Sequence, residues 1–132
     1  MDDGDLERTG AILRASWRAF DAAVAQARGK RLAKGPRGGG RTLDAIVAHV
    51  VGAEEGYLGG LGWKPPTRPK TTEQLRAAVL DGMAASARGE IPARGPRGGK
   101  RWTPRHFARR LAWHALDHAW EIEDRAGPVH AE

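Results

Sequence analysis

Apolar residues recur at helical spacing in four stretches of this chain, and residue types that begin or end helices bound each stretch. The first stretch covers roughly residues 5–27. Its apolar positions are spaced by three, four or seven: Leu6, Leu13, Trp17, Phe20, Val24 and Ala27. Such a stripe is typical of a helix that buries one face in a bundle.

The second and third stretches are separated by a proline-rich segment. Thr42 is a residue type that caps helix N-termini, and we expect Gly59-Gly60 to end the helix that follows it. Residues 61–70 contain three prolines, which favour an extended crossover. Thr71 and Gln74 then fit a capping box at the start of a third helix.

The fourth stretch is the most informative. It begins at Thr103-Pro104, a cap followed by a proline at the first helical position, and we expect it to stop before Gly127-Pro128. At about 100° per residue, one stripe roughly 80° wide contains Phe107, Leu111, His114, His118 and Ile122. Two imidazoles therefore lie one helical turn apart on an apolar face.

An internal repeat links the two halves of the chain. Residues 27–29 recur at 87–89 and residues 33–39 at 93–99, both offset by 60 positions. Each copy joins one helix to a second helix that carries histidine. We therefore predict an all-α four-helix bundle that forms one domain over residues 1–132. Its parts are a hairpin at 5–60, a crossover at 61–70 and a hairpin at 71–126.

Composition narrows the classes of function. The chain has no cysteine, which excludes disulfides, thiolate metal ligands and thiol nucleophiles. The net charge of +6 is concentrated in two Gly/Pro-rich loops, so the sum alone does not indicate a nucleic-acid-binding surface. No apolar run approaches the roughly 20 residues of a membrane span. The acidic N-terminus does not resemble a signal peptide, and we expect a cytoplasmic protein.

Three histidines form a candidate metal site. His114 and His118 are at positions i and i+4, the spacing at which both ring nitrogens reach one ion. A third ligand has to come from another helix, and His49, at the edge of the second helix's apolar face, is the best candidate. Three imidazoles with an open fourth position suit zinc, nickel or iron. Such an ion acidifies a bound water or thiol and makes it nucleophilic near neutral pH.

The other two histidines are not expected to be ligands. His106 lies about 12 Å from His114 along the helix axis, and His130 follows the helix stop. The alternative for all five histidines is that they only pack and form hydrogen bonds. That alternative predicts a metal-free structural bundle.

Two carboxylates are candidate catalytic residues. Glu121 lies one turn beyond His118 and would orient an imidazole or act as a general base. An ion pair with Arg125 at i+4 is the alternative role for Glu121. Glu54 is unusual because it lies on the apolar side of the second helix.

The two basic loops, residues 35–41 and 95–101, resemble Arg/Gly-rich nucleic-acid-binding segments. A nucleic-acid-binding module that uses these loops is therefore an alternative function; its contacts would be Arg37, Arg97, Lys100 and Arg101. Only Trp102 stands beside them as a stacking partner, and neither loop has the ending of a P-loop. Structural connections between helices are the preferred interpretation.

A second apolar stripe on the fourth helix consists of Trp113, Leu116 and Trp120. Two tryptophans seven residues apart lie on the same side of a helix. We expect them to pack either against the first helix or across a dimer interface.

The chain resembles the DinB-like superfamily. The resemblance rests on two segments, L-D-A-I-V-A-H-V-V-G-A-E-E-G-Y-L at 43–58 and R-R-L-A-W-H-A-L-D-H-A-W-E-I-E-D-R at 109–125. It implies a four-helix bundle with up-down-down-up order. The family's metal site takes one histidine from the second helix and an H-x-x-x-H pair from the fourth, which correspond here to His49, His114 and His118.

The same resemblance implies a function. Relatives include thiol-dependent S-transferases and isomerases, and many members are described as metal-dependent hydrolases. It therefore implies a divalent metal, a small-molecule substrate, a low-molecular-weight thiol as a second cofactor, and a homodimer.

Overall fold

The computed structural model describes residues 1–34 and 40–127 and shows an all-α four-helix bundle. The helices are α1 (Asp3–Ala27), α2 (Leu43–Leu61), α3 (Thr72–Ala87) and α4 (Pro104–Arg125). Within the described residues there is no β-strand, only an isolated antiparallel bridge between Arg94 and Lys100. The predicted fold class is therefore confirmed. No helix in this part of the chain is long and apolar enough to cross a membrane.

Side-chain caps set where the helices begin. Thr42, Thr71 and Thr103 each accept a hydrogen bond from the backbone N–H three residues later, as predicted. The expected capping box of α3 is only half formed, because the Gln74 side chain accepts from the N–H of Lys70 instead of Thr71. At α1, Asp2 and Asp5 cap each other's backbone N–H groups, so this helix begins at Asp3, two residues earlier than expected.

The end of α2 was predicted too early. Gly59 and Gly60 remain helical, and the helix continues to Leu61. Gly62 then adopts a left-handed conformation with φ of 86°, and its N–H donates to the carbonyl oxygens of Leu58 and Gly59. A left-handed glycine is the usual way to close a helix, and the third glycine of the run has this role.

The core is built chiefly from α1 packed on α4, with α2 also packed against α4. Its largest fully buried side chains come from all four helices: Leu13, Ile46, Leu61, Val79, Met83, Phe107, Leu111 and Ile122. The stripe predicted on α4 therefore faces the core, and its burial fixes the orientation of α4 about the helix axis. That orientation determines the direction in which every other side chain of the helix points.

Two tryptophans in the segments between helices pack closely against helical glycines. Trp102, just before α4, packs on Gly60 of α2, and Trp63, just after α2, packs on Gly82 of α3. A Cβ atom placed on Gly82 would lie 2.6 Å from Cδ1 of Trp63. Because only glycine allows this approach, Gly82 and Trp63 together fix the proline-rich crossover against α3.

Two members of the predicted second stripe of α4, Trp113 and Trp120, lie at the surface and are 53% and 59% exposed. Their exposure does not favour packing against the first helix. The other expectation for this stripe, a dimer interface, stays a prediction. The core side of α4 is already filled by the stripe that carries Phe107 and Leu111, which leaves the tryptophans on the outer surface.

The contact between Gly82 and Trp63 predicts an unusual effect of a helical glycine-to-alanine substitution. Gly82→Ala should lower the free energy of unfolding by about 1–3 kcal/mol, because the new methyl group overlaps the indole ring. The matched control is Gly52→Ala on exposed α2 surface, where no atom lies within 4 Å of the added Cβ. That substitution should stabilise the protein by roughly 0.5–1 kcal/mol. Urea denaturation of both variants provides the test, and equal effects would contradict it.

Candidate metal centre

Three imidazoles from two helices converge at the bundle's surface. Nε2 of His114 lies 3.2 Å from Nε2 of His49 and 3.2 Å from Nε2 of His118. One ligand atom from each of the three residues falls within 4.8 Å of the other two. Nitrogens bound tetrahedrally to one zinc ion at about 2.0–2.1 Å are about 3.3–3.4 Å apart. The three histidines therefore lie close enough together to bind one metal ion.

The three rings differ in their access to solvent. His114 projects from the core stripe of α4 and is 7% exposed. His118, one turn later, is half-buried, and His49 on α2 is exposed. The cluster thus has an inner side made by the helices and an outer side open to solvent. An open position beside three protein ligands is what separates catalytic from structural zinc sites.

Glu121 sets the proton position on His118. Its Oε1 lies 2.7 Å from Nδ1 of His118. Burial of Glu121 opposes ionisation, but hydrogen bonds from His118 and Arg125 outweigh it and lower the pKa of the carboxyl. An ionised carboxylate only accepts, so Nδ1 of His118 carries the proton and donates. The lone pair of the neutral ring is then on Nε2, which faces the other two histidines.

Arg125 holds Glu121 in place. Its guanidinium is buried and donates through Nη1 to Oε2 of Glu121 (3.2 Å). Nε and Nη2 donate to the carbonyl oxygens of Ala33 (2.6 Å) and Arg41 (2.7 Å), on the connection between α1 and α2. Glu121 therefore makes both contacts at once, an ion pair with Arg125 and a hydrogen bond with the imidazole of His118.

The ring of His114 is kept neutral. Burial, followed by the neighbouring His118 and His49, lowers its pKa to about 4. Its buried Nδ1 has no hydrogen-bond partner among the described residues. A histidine present only to satisfy core hydrogen bonds would have partners for both ring nitrogens. His114 instead presents Nε2 to two other imidazole nitrogens.

Hydrogen bonds alone do not satisfy the cluster. Nε2 of His114 carries either one N–H or one lone pair. An N–H can point along only one of its two 3.2 Å contacts, and a lone pair would face the lone pair on Nε2 of His118. Desolvation, then Arg41 and His118, lower the pKa of His49, so a positively charged ring is disfavoured there as well. A cation placed between the three nitrogens would satisfy all three.

Aromatic and cationic side chains surround the cluster. The rings of Tyr57 and His114 meet edge to face with centroids 5.7 Å apart, and the Trp113 centroid is 6.3 Å from that of His114. The guanidinium of Arg110 lies over both aromatic rings, 5.9 Å from Tyr57 and 5.0 Å from Trp113. Tyr57 does not stand out in the sequence, since it becomes a neighbour of the cluster only when α2 and α4 pack. Arg110 lies one turn before His114 on α4 itself, so the i, i+4 spacing could have identified it.

Glu54 is not brought to the histidines. It is five residues after His49 on α2, which turns it about 140° around the helix axis. Its carboxylate is 2% exposed and accepts a hydrogen bond from Nε1 of Trp17 at 2.8 Å. The structure thus places the two candidate catalytic carboxylates in different surroundings, and only Glu121 contacts a histidine of the cluster.

The remaining sequence candidates among the described residues lie apart from the cluster. His106 is exposed and packs edge to face on Trp102, as expected for a surface residue. Arg101 is half-buried against Gly62 and Gly95, so its guanidinium packs within the loop. His130 and Arg37 lie outside the described residues.

Comparison of the chain with protein-family models, with curated proteins and with solved structures gives no significant match. The DinB-like resemblance stays a prediction from the sequence segments that carry it. The chemistry of the cluster follows from the chain's own residues.

The burial of Glu54 predicts a specific pH dependence of stability. Burial raises the pKa of this carboxyl above its ordinary value of 4.5, against the opposing effects of Trp17 and Arg76. The folded protein therefore holds this proton more tightly than the unfolded chain, and stability is lost as pH rises through the raised pKa. Glu54→Gln should remove that loss and increase the free energy of unfolding at pH 7 by about 1 kcal/mol or more.

Urea denaturation across the acidic and neutral range tests this prediction. The difference between Glu54→Gln and the unsubstituted protein should shrink as pH falls below 4.5, where the carboxyl is protonated in both states. Glu55→Gln, an exposed change on the same helix, is the control and should follow the unsubstituted protein. A difference that is constant with pH would show that ionisation of Glu54 is not the cause.

Proposed function

We propose that this protein is a metal-dependent enzyme of the DinB-like type, which activates water or a low-molecular-weight thiol for attack on a small electrophilic substrate. The observation that carries the proposal is the convergence of three imidazole Nε2 atoms from α2 and α4, with 3.2 Å between His114 and each of the other two. Exposure of His49 supports an enzyme over a closed structural site, because it leaves one side of the cluster open.

The donor set limits which ion fits. Three neutral nitrogens and no thiolate suit zinc, nickel or iron in the divalent state better than calcium or magnesium, which prefer oxygen. The tautomer that Glu121 imposes on His118 presents a lone pair to the cluster. The lowered pKa of His114 keeps that ring unprotonated at neutral pH. Both features favour binding of the ion without prior loss of a ring proton.

Each residue has a defined part in the proposed reaction. His49, His114 and His118 hold the ion, which supplies the Lewis acidity that lets water or a thiol lose a proton near neutral pH. Glu121 orients His118, and Arg125 keeps Glu121 ionised and fixed. Because both oxygens of Glu121 are engaged, we assign it the positioning role and not that of general base. Tyr57 provides aromatic surface for an apolar part of the substrate.

Two probe reactions separate the hydrolase from the thiol transferase. Hydrolysis of p-nitrophenyl acetate reports activated water, and conjugation of cysteine to 1-chloro-2,4-dinitrobenzene reports an activated thiol. We expect turnover of at least one probe that requires added zinc or nickel and is lost with His114→Ala. Full metal binding without turnover in either class would favour a structural metal site instead.

The histidine cluster predicts how metal binding responds to substitution. The unsubstituted protein should bind one equivalent of zinc, and His49→Ala, His114→Ala or His118→Ala should each weaken binding by at least about a hundredfold, since an imidazole–zinc bond is lost. Isothermal titration calorimetry gives the affinities. Zinc should also raise the melting temperature, because it binds only the folded state.

His106→Ala is the matched control, since this exposed histidine on the same helix should leave affinity unchanged. A protein that binds no zinc, and that His114→Leu stabilises, would instead be the metal-free structural bundle.

The contact between Glu121 and His118 predicts a second effect on metal affinity. Glu121→Gln removes the charge that fixes the protonated Nδ1, and zinc affinity should fall by about 10–100-fold. Glu123→Gln, an exposed change on the same helix, should have no effect. If Glu121→Gln instead lowers the rate of turnover at unchanged metal affinity, Glu121 would be a base.

The exposed tryptophans support a homodimer. Trp113 and Trp120 present large aromatic surfaces on the same side of α4, and both are more than half exposed. We expect the protein to sediment as a dimer and Trp120→Glu to convert it to a monomer, because a charge would be buried in the interface. Sedimentation of the unsubstituted protein as a monomer at micromolar concentration would contradict the dimer.

A further inference from the structure

A cavity of about 340 Å³ lies between α1, α2 and the start of α3. None of the three clustered histidines lines it. Its wall is largely apolar and includes Phe20, Val24, Val47, Val50 and Val51. Pockets of this size with a few polar groups on an apolar wall are typical of small-ligand sites.

The carboxylate of Glu54 is the distinctive polar group of this cavity. The residue is 2% exposed yet contributes to the cavity wall. Nε1 of Trp17 donates to Oε2 at 2.8 Å, which fixes the orientation of the carboxylate from the neighbouring helix. Within the described residues no group donates to Oε1, which leaves that oxygen for a ligand.

The other charged groups on the wall already have partners. Arg76 donates to both carboxylate oxygens of Asp21 at 2.7 Å, and Arg28 donates to Asp44 at 2.6 Å. Each arginine charge is therefore matched by an aspartate. The carboxylate of Glu54 has a neutral indole as its hydrogen-bond donor. The nearby charge of Arg76 attracts it, but within the described residues no cation forms an ion pair with Glu54.

A carboxylate is a costly side chain at this buried position. Removing a carboxylate from water costs free energy that one indole N–H offsets only in part. An apolar or amide side chain would fill the same space at lower cost. A ligand that carries a positive charge would supply the missing partner, and its apolar part would cover the valine surface.

We propose that this cavity binds a small organic cation, a primary ammonium group on an aryl or alkyl body. The ammonium group donates to Glu54, and the body packs against Phe20 and the valines of α2. Binding is independent of the histidine cluster, because the two sites share no lining residue.

The indole N–H of Trp17 is a local reporter for this site. The probe is benzylammonium, titrated into the full-length protein in the presence of a chelator and followed by ¹H–¹⁵N NMR of the tryptophan side chains. Trp17→Phe assigns the resonance. We expect a saturable shift of the Trp17 N–H, with the exposed Trp113 and Trp120 unaffected. Benzyl alcohol and benzoate, which match the probe in shape but not in charge, should give no comparable shift.

Substitutions distinguish the contribution of the Glu54 charge to binding from the contribution of the cavity's shape. Glu54→Gln keeps an acceptor for Trp17 and should weaken benzylammonium binding at least about tenfold, as expected for loss of a charged hydrogen bond. Glu55→Gln, the exposed neighbour, should bind like the unsubstituted protein. Val51→Phe should also abolish binding, because it fills the cavity.

Three results would overturn the proposal: no saturable shift at millimolar benzylammonium, equal binding of benzyl alcohol, or undiminished binding by Glu54→Gln. Added zinc should leave benzylammonium affinity unchanged. Absence of benzylammonium binding would therefore not contradict the proposed metal centre. Absence of zinc binding would likewise not contradict the proposed cation site.

Discussion

The candidate site depends on one buried guanidinium, that of Arg125 at the end of α4. It joins the last turn of this helix to two carbonyl groups on the connection that follows α1, and it holds one oxygen of Glu121. The other oxygen of Glu121 accepts a hydrogen bond from Nδ1–H of His118. Charge-assisted hydrogen bonds of this kind are short and directional. Folding of the bundle and orientation of a candidate metal ligand are thus parts of one network.

Much of the fold follows from local chemistry. Hydroxyl caps at Thr42, Thr71 and Thr103 place three helix starts, and the spacing of two histidines by four residues places them on one face of α4. Each of these features depends only on residues that lie within one or two helical turns of each other in the sequence. The class of fold and the candidate donor set could therefore be predicted from the sequence.

What could not be predicted depends on contacts between distant segments. The Ala33 and Arg41 carbonyls that Arg125 binds are far from it in sequence, so only its short-range pairing with Glu121 was visible. The outward direction of Trp113 follows from how the opposite side of α4 fills the core. Glu54 is separated from the histidines because it turns toward Trp17 on α1. A sequence pattern assigns faces to helices but does not say which helix meets each face.

The most direct test is X-ray absorption spectroscopy of the zinc-loaded protein, because it counts the imidazoles bound to the ion. Our account predicts three histidine nitrogens at about 2.0–2.1 Å and one further light donor that is not a protein side chain. A spectrum with one histidine or none, dominated by oxygen ligands, would mean that the three rings do not form a metal site. The convergence of His49, His114 and His118 would then be a feature of packing alone.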